Sequence, residues 1–265
     1  MTSRAGRSLV VIPTYNEADN ICTIVRRLRA AEPDVDVLIV DDGSPDGTGE
    51  LADSLARADE QIHVLHRSGK SGLGAAYVAG FRWALERRYD VVVEMDADGS
   101  HQPEQLGRIL GAIGSADAVI GSRWVPGGSI ANWPRERELL SRLGNLYIRG
   151  LLGLPLRDVT AGFRAYRADT LRAIGLDDVQ SQGYCFQTDL SRRVVQRGMS
   201  VIEVPIDFIE REIGDSKMNA DIMRESLVKV TAWGIADRSA QLRRAWRRWK
   251  RRAAAVRSSV SRDEG

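Results

Sequence analysis

Two short runs near the amino terminus, Leu9-Val10-Val11-Ile12 and Val37-Leu38-Ile39-Val40, contain no polar residue. A strand with one wet face alternates apolar and polar residues, so an unbroken run belongs to a strand covered on both faces. Ile62–Leu65, Val91–Met95 and Ala118–Ile120 continue the series. Stretches of helical character separate them, at Asp19–Ala30, Asp46–Ala58 and Gly74–Arg88. Strands alternating with helices of that length need crossover connections, which give a mostly parallel central sheet flanked by helices. The expected fold class is therefore α/β, and 265 residues suffice for one large core with some chain left over.

In such a sheet ligands bind beyond the carboxyl ends of the strands. Asp96-Ala97-Asp98 falls there, directly after the run that ends at Met95. Carboxylates one residue apart are hard oxygen ligands suited to Mg²⁺ or Mn²⁺, ions that bridge protein and substrate phosphates. Three more loops follow strands. Pro13-Thr14-Tyr15-Asn16-Glu17 places an aromatic ring and an acid where a base would stack, or simply starts a helix capped by Asn16 or Asp19. Asp41-Asp42-Gly43-Ser44-Pro45-Asp46 offers Asp42 to a uracil or guanine edge, with Ser44 or Asp46 as helix cap. Lys70-Ser71-Gly72-Leu73-Gly74 has neither the dinucleotide glycine spacing nor a Walker-type ending and reads as a helix entry.

The second half is less regular. Leu139, Leu140, Leu143, Leu146, Tyr147, Leu151 and Leu152 recur at helical spacing. The expected role is a core-facing stripe, and the alternative is a helix lying flat on lipid. From Asp237 onward basic residues crowd around Leu242, Trp246 and Trp249, so that a net charge of only +2 hides a basic tail. A solvated tail and an anionic membrane surface both fit, the second at about 1 kcal/mol per basic residue. Nucleic acid is disfavoured, because the patch is terminal and not spread over a domain face. The expected division is a catalytic domain at 1–236 and a tail at 237–265. Cys22 and Cys185 lie in helix-like patterns without metal spacing, which suits a reducing, cytoplasmic setting. No run reaches the roughly 18 apolar residues of a membrane span, and Met1–Ser8 has no signal-peptide core. The expectation is peripheral placement on the cytoplasmic face of a membrane, with room for a separate integral membrane partner.

The ordered set PTYNE at Pro13–Glu17, VDDGSPDGT at Val40–Thr48, GKSGLG at Gly69–Gly74 and MDADGSHQPE at Met95–Glu104 resembles the inverting glycosyltransferases of family 2, with the GT-A fold. Gly121–Gly128, Asn132-Trp133-Pro134, Asp158–Arg164 and Glu210–Met218 extend the likeness to the polyprenol-phosphate mannose synthases of that family, over roughly residues 8 to 235. The resemblance implies a donor, GDP-mannose, with its guanosine part held by Pro13, Tyr15, Glu17, Val40 and Asp42. It implies a metal and diphosphate site at Asp96 and Asp98, joined by Ser100, with Ala97 against the nucleotide. Arg123, Arg137, Arg211 and Lys217 match basic positions that face the donor diphosphate and the lipid phosphate, with Ser141 beside the latter. The implied acceptor is a polyprenyl phosphate, already an anion, so charge neutralisation is needed more than a general base. His101 is expected to support its loop, and Asp189 to orient neighbouring basic residues. A UDP-glucose donor, or an inactive scaffold recruited to membranes by the tail, are the other readings.

Overall fold

The computed structural model describes residues 6–179, 184–210, 227–239 and 246. Its seven-stranded sheet contains β1 (Ser8–Thr14), β2 (Asp36–Asp41), β3 (Ile62–His66), β4 (Val91–Glu94), β5 (Ala118–Ser122), β7 (Arg164–Arg167) and β8 (Val201–Pro205), in the order β3-β2-β1-β4-β7-β5-β8. All pairings are parallel except those of β7, which runs antiparallel to both β4 and β5. A short parallel pair, β6 (Ser129–Ala131) with β9 (Asp207–Ile209), stands apart from it. The helices are α1 (Ile21–Ala31), α2 (Thr48–Ala58), α3 (Leu73–Glu86), α4 (Leu106–Ala112), α5 (Arg135–Leu152), α6 (Ala168–Ile174) and α7 (Tyr184–Gln196), followed by α8 at 227–239.

The unbroken apolar runs are explained by what covers them. Val10, Ile12, Val37, Ile39, Val91 and Val93 pack on one side with α1, α2 and α4. Their neighbours Leu9, Val11, Leu38, Val40 and Val92 pack on the other with α3 and α7. Alternate side chains leave a strand on opposite faces, so a strand roofed twice has no polar position. The fit is close at Gly80 of α3, where a Cβ would come within 2.4 Å of Val11 Cγ1.

A third, smaller cluster joins Ile120, Ile148, Leu154, Leu156, Val159, Ala161 and Val230 beneath α5 and α8. Here the expectation of a core-facing leucine stripe is corrected. Leu139, Leu140, Leu143, Leu146 and Tyr147 are exposed, while Leu151 and Leu152 are partly buried. The inward face of α5 centres on Asn145 and Ile148. Asn145 Nδ2 donates to Thr160 Oγ1 at 3.1 Å, and the Thr160 amide donates back to Asn145 Oδ1 at 3.3 Å. That polar lock fixes the helix's rotation and turns its leucines outward. The expected boundary at residue 236 falls within α8, whose Asp237 accepts two hydrogen bonds from Arg192 at 2.7 and 2.5 Å. Of the tail beyond, only Trp246 is among the described residues.

Candidate active site

Because β1, β2, β4, β5 and β8 are parallel, their carboxyl ends share one rim. β7 runs the other way, so the segment that precedes it, Asp158–Phe163, reaches the same rim. Gly162 lies against the Asp96 loop, where a Cβ would stand 3.1 Å from His101 Cε1 and 3.5 Å from Asp96 Oδ2.

Asp96 and Asp98 emerge at the rim, and Ala97 between them turns inward, with 3% exposure. The buried Tyr77 hydroxyl donates to Asp96 Oδ1 at 2.8 Å, and Asp98 Oδ1 accepts from the Ser100 hydroxyl at 2.6 Å and its amide at 3.1 Å. Gly99, at φ +78°, makes the turn that folds Ser100 back onto Asp98. The Asp96 amide donates to His101 Nδ1 at 3.0 Å. His101 is buried and stacked on Phe163 at 5.2 Å. Behind the loop Glu94 is fully buried. Burial, opposed by Arg164 and by Gln187 as hydrogen-bond donor, pushes its carboxyl up to about 8.

The donor set fits a divalent ion. Two rim carboxylates, with a serine hydroxyl beside them, supply hard oxygens, while the described residues contain no group of three His, Cys, Asp or Glu that would enclose a metal. Two protein oxygens with the remaining positions left to water and phosphate is the pattern Mg²⁺ and Mn²⁺ favour.

The nucleotide side is built from the first three loops. Tyr15 is half-buried with Lys70 Nζ over its ring at 4.2 Å, and Glu17 accepts from Asn20 Nδ2 at 2.9 Å. Asp42 is buried, and its carboxylate takes Arg67 together with the amides of Ser71 and Gly72, at 2.8 and 3.2 Å. It thereby ties the third loop to the second. Pro13 and Val40 are paired across β1 and β2 and buried. Val40 packs in the core, so only its backbone reaches the rim.

The basic positions differ from simple exposed clamps. Arg123 is buried and grips Asp158 through Nε at 2.7 Å and Nη2 at 2.6 Å, while its amide donates to the same carboxylate at 2.9 Å. Desolvation explains the arrangement, since a buried guanidinium needs a fully bonded anion. Trp124, Trp133 and Phe208 stand 5.6, 5.5 and 5.3 Å from it. Arg137, at the start of α5, stacks on Trp133 at 4.3 Å and pairs with Glu210. Ser141 lies one turn further along the helix. Phe208 touches both Trp133 and His101, so the carboxylate loop and the arginine–tryptophan wall are one packed unit. Arg211 and Lys217 lie outside the described residues. Asp189 accepts from Arg193 Nε at 2.8 Å, and Gln187 donates to Glu94 at 2.6 Å.

Sequence reasoning assigned no role to Tyr77 or Asp158. Tyr77 sits inside the apolar stretch Ala75–Phe81, whose only sign is a hydroxyl that has to be bonded when buried. Asp158 opens a recognised motif, but its partner Arg123 is 35 residues away.

A mostly parallel sheet flanked by helices, with a carboxylate pair on its rim, is the GT-A fold of glycosyltransferases. The Glycosyl transferase family 2 pattern matches residues 9–175, and the chain belongs to that family. It is 59% identical over 237 residues to the undecaprenyl-phosphate mannosyltransferase of Micrococcus luteus, covering 89% of this chain and 98% of the relative. It is 57% identical over 234 residues to the polyprenol monophosphomannose synthase of Mycolicibacterium smegmatis, covering 88% of each. Among solved structures, a Pyrobaculum calidifontis mannosyltransferase in complex with GDP-Man and Mn²⁺ superposes with a TM-score of 0.56 at 18% identity, over 89% of this chain and 64% of the other.

Proposed function

We propose that the protein transfers mannose from GDP-mannose to a polyprenyl phosphate, inverting the anomeric carbon to give a β-linked lipid donor. The observation that carries this reading is the continuity of two anion-oriented groups on one rim, Asp96–Asp98 and Arg123–Arg137, through His101 and Phe208. A reaction whose nucleophile and leaving group are both phosphates needs two such regions side by side. The names of the relatives and the donor bound by the Pyrobaculum enzyme support the sugar and the acceptor.

In this reading an oxygen of the acceptor phosphate attacks the anomeric carbon, the bond to the diphosphate breaks, and GDP leaves with the electron pair. The acceptor oxygen is already anionic, so no side chain has to remove a proton. Asp96, Asp98 and Ser100 would hold Mg²⁺ or Mn²⁺, which when bound offsets charge on the leaving diphosphate. Tyr77 and His101 fix Asp96. Pro13, Tyr15, Glu17, Ala97, Asp42 and the backbone at Val40 form the guanosine side. Arg137 and Ser141 receive the acceptor phosphate against the wall that Arg123 stiffens, and Arg211 and Lys217 are assigned to the phosphates by motif alone.

The acceptor's lipid chain calls for a bilayer surface. On α5 the exposed leucines are flanked by Arg135, Arg142 and Arg149, seven residues apart and all exposed. An apolar stripe bordered by arginines is how a helix lies on an anionic membrane. Among the described residues no helix is long and apolar enough to cross one.

The test is an assay of the full chain with labelled GDP-mannose, a short polyprenyl phosphate and Mg²⁺ or Mn²⁺. Lipid-linked β-mannose is expected, lost in Asp98→Asn. Failure with every metal and detergent tried, or equal turnover of UDP-glucose, defeats the reading.

A further inference from the structure

We infer that Glu210 sets the charge an anion must carry to occupy Arg137, and so lets the site distinguish a phosphomonoester from a phosphodiester; this rests on Arg137 facing the acceptor phosphate. Arg137 and Glu210 form an ion pair whose side chains are each 23% exposed, at the mouth of the arginine–tryptophan wall. Glu210 directly follows β9, and its amide donates to Ala131 O at 3.2 Å, so its backbone is anchored beside β6.

The cluster has a surplus of donors. Among the described residues, Arg137 Nε, Trp133 Nε1 and Trp124 Nε1 are buried without a hydrogen-bond partner. Buried donors are ordinarily bonded, and leaving one unbonded costs about 1–3 kcal/mol. An anion that takes the paired edge of the guanidinium has to replace the Glu210 carboxylate, of charge −1.

Charge then decides the competition. A phosphodiester carries one negative charge, so exchanging it for Glu210 leaves the Coulomb energy at Arg137 nearly unchanged. A phosphomonoester carries about −1.5 to −2 at neutral pH, more than the carboxylate it displaces. It gains in the exchange where the diester does not. The filter matters because α5, which carries Arg137, also exposes the leucine and arginine faces suited to a bilayer. There, phosphodiester headgroups would outnumber a monoester acceptor. Without Glu210 the arginine would be held by the commonest anion present.

Intrinsic tryptophan fluorescence of the full chain can follow binding of two soluble probes, citronellyl phosphate as monoester and dihexanoyl phosphatidylglycerol as diester. Wild type is expected to prefer the monoester. Glu210→Gln is expected to gain about tenfold in diester affinity and distinctly less for the monoester, so that the preference collapses. Glu210→Asp, which keeps the charge, should retain the preference. In an Arg137→Ala background Glu210→Gln should no longer alter it. An unchanged preference in Glu210→Gln overturns the inference, as does weaker monoester binding in that variant, which would make Glu210 a mere support for Arg137. An effect that survives in Arg137→Ala also overturns it. A wild-type chain that binds the monoester selectively yet transfers no mannose would defeat the functional reading and leave the filter standing.

Discussion

At the scale of single residues, the rim depends on one buried ion pair, Arg123 with Asp158. Asp158 has no exposed surface and serves both the guanidinium and the amide of Arg123. Asp158→Asn leaves that arginine uncompensated, and breaking a buried pair costs about 3–5 kcal/mol. We expect a urea midpoint lowered to match, and a midpoint equal to wild type would show that Arg123 finds another anion. Glu94 yields a prediction in pH. Its native carboxyl keeps its proton up to about 8, whereas the unfolded chain releases it near the ordinary glutamate value of 4.5. Between those values the native state binds the extra proton, so this group's contribution is full below the unfolded value and is lost as pH rises. The slope reaches at most about 1.4 kcal/mol per pH unit and flattens above the native value. Thermal unfolding in chelator from pH 5 to 8 should show that slope in wild type and a shallower one in Glu94→Gln. Parallel curves would mean that Glu94 is ionised in the native state. These residues were only partly legible in the sequence. The paired aspartates are legible only with the ordered motifs around them, because Asp-x-Asp by itself occurs in many loops. The bond from Tyr77 to Asp96 joins a helix to a loop, and local pattern carries no trace of it.

Among the elements, legibility followed burial. β1, β2 and β4 show as apolar runs because both their faces are roofed. β7 does not, because Arg164-Ala165-Tyr166-Arg167 begins and ends in charge. Arg164 is nevertheless 1% exposed, its guanidinium bonded to the carbonyls of Val159, Ala161 and Gln187. Tertiary satisfaction of that kind is invisible to periodicity. The leucine spacing of α5 correctly marks an apolar face, but which face is covered depends on the lock between Asn145 and Thr160. Two predictions belong at this scale. Gly80→Ala would place a methyl 2.4 Å from Val11 Cγ1, and overpacking of about 1–3 kcal/mol should exceed the roughly 1 kcal/mol gained in helix propensity. A stabilised variant in thermal unfolding would show that α3 shifts freely on the sheet. Leu143→Ser, at a position 53% exposed, should leave stability within about 0.5 kcal/mol of wild type. Its partition onto anionic vesicles should fall about tenfold, and equal sedimentation of both forms would exclude α5 from the lipid contact.

For the molecule as a whole, the topology gathers loops from both halves of the chain on one rim. The likeness of the ordered motifs to family 2 foretold the architecture. The position of the 158–163 segment depends on a reversed strand that no local pattern revealed. One helix, α5, carries both Arg137, paired with Glu210, and five exposed apolar side chains. On the reading proposed above, wall and foothold are the same rigid rod, so catalysis happens at a fixed height over the lipid. Enzyme and acceptor then meet by search in two dimensions. With all enzyme bound, turnover should follow the mole fraction of acceptor in the vesicle and ignore the volume in which the vesicles are suspended. Diluting the acceptor within the membrane should slow the reaction, and diluting the suspension at constant surface composition should not.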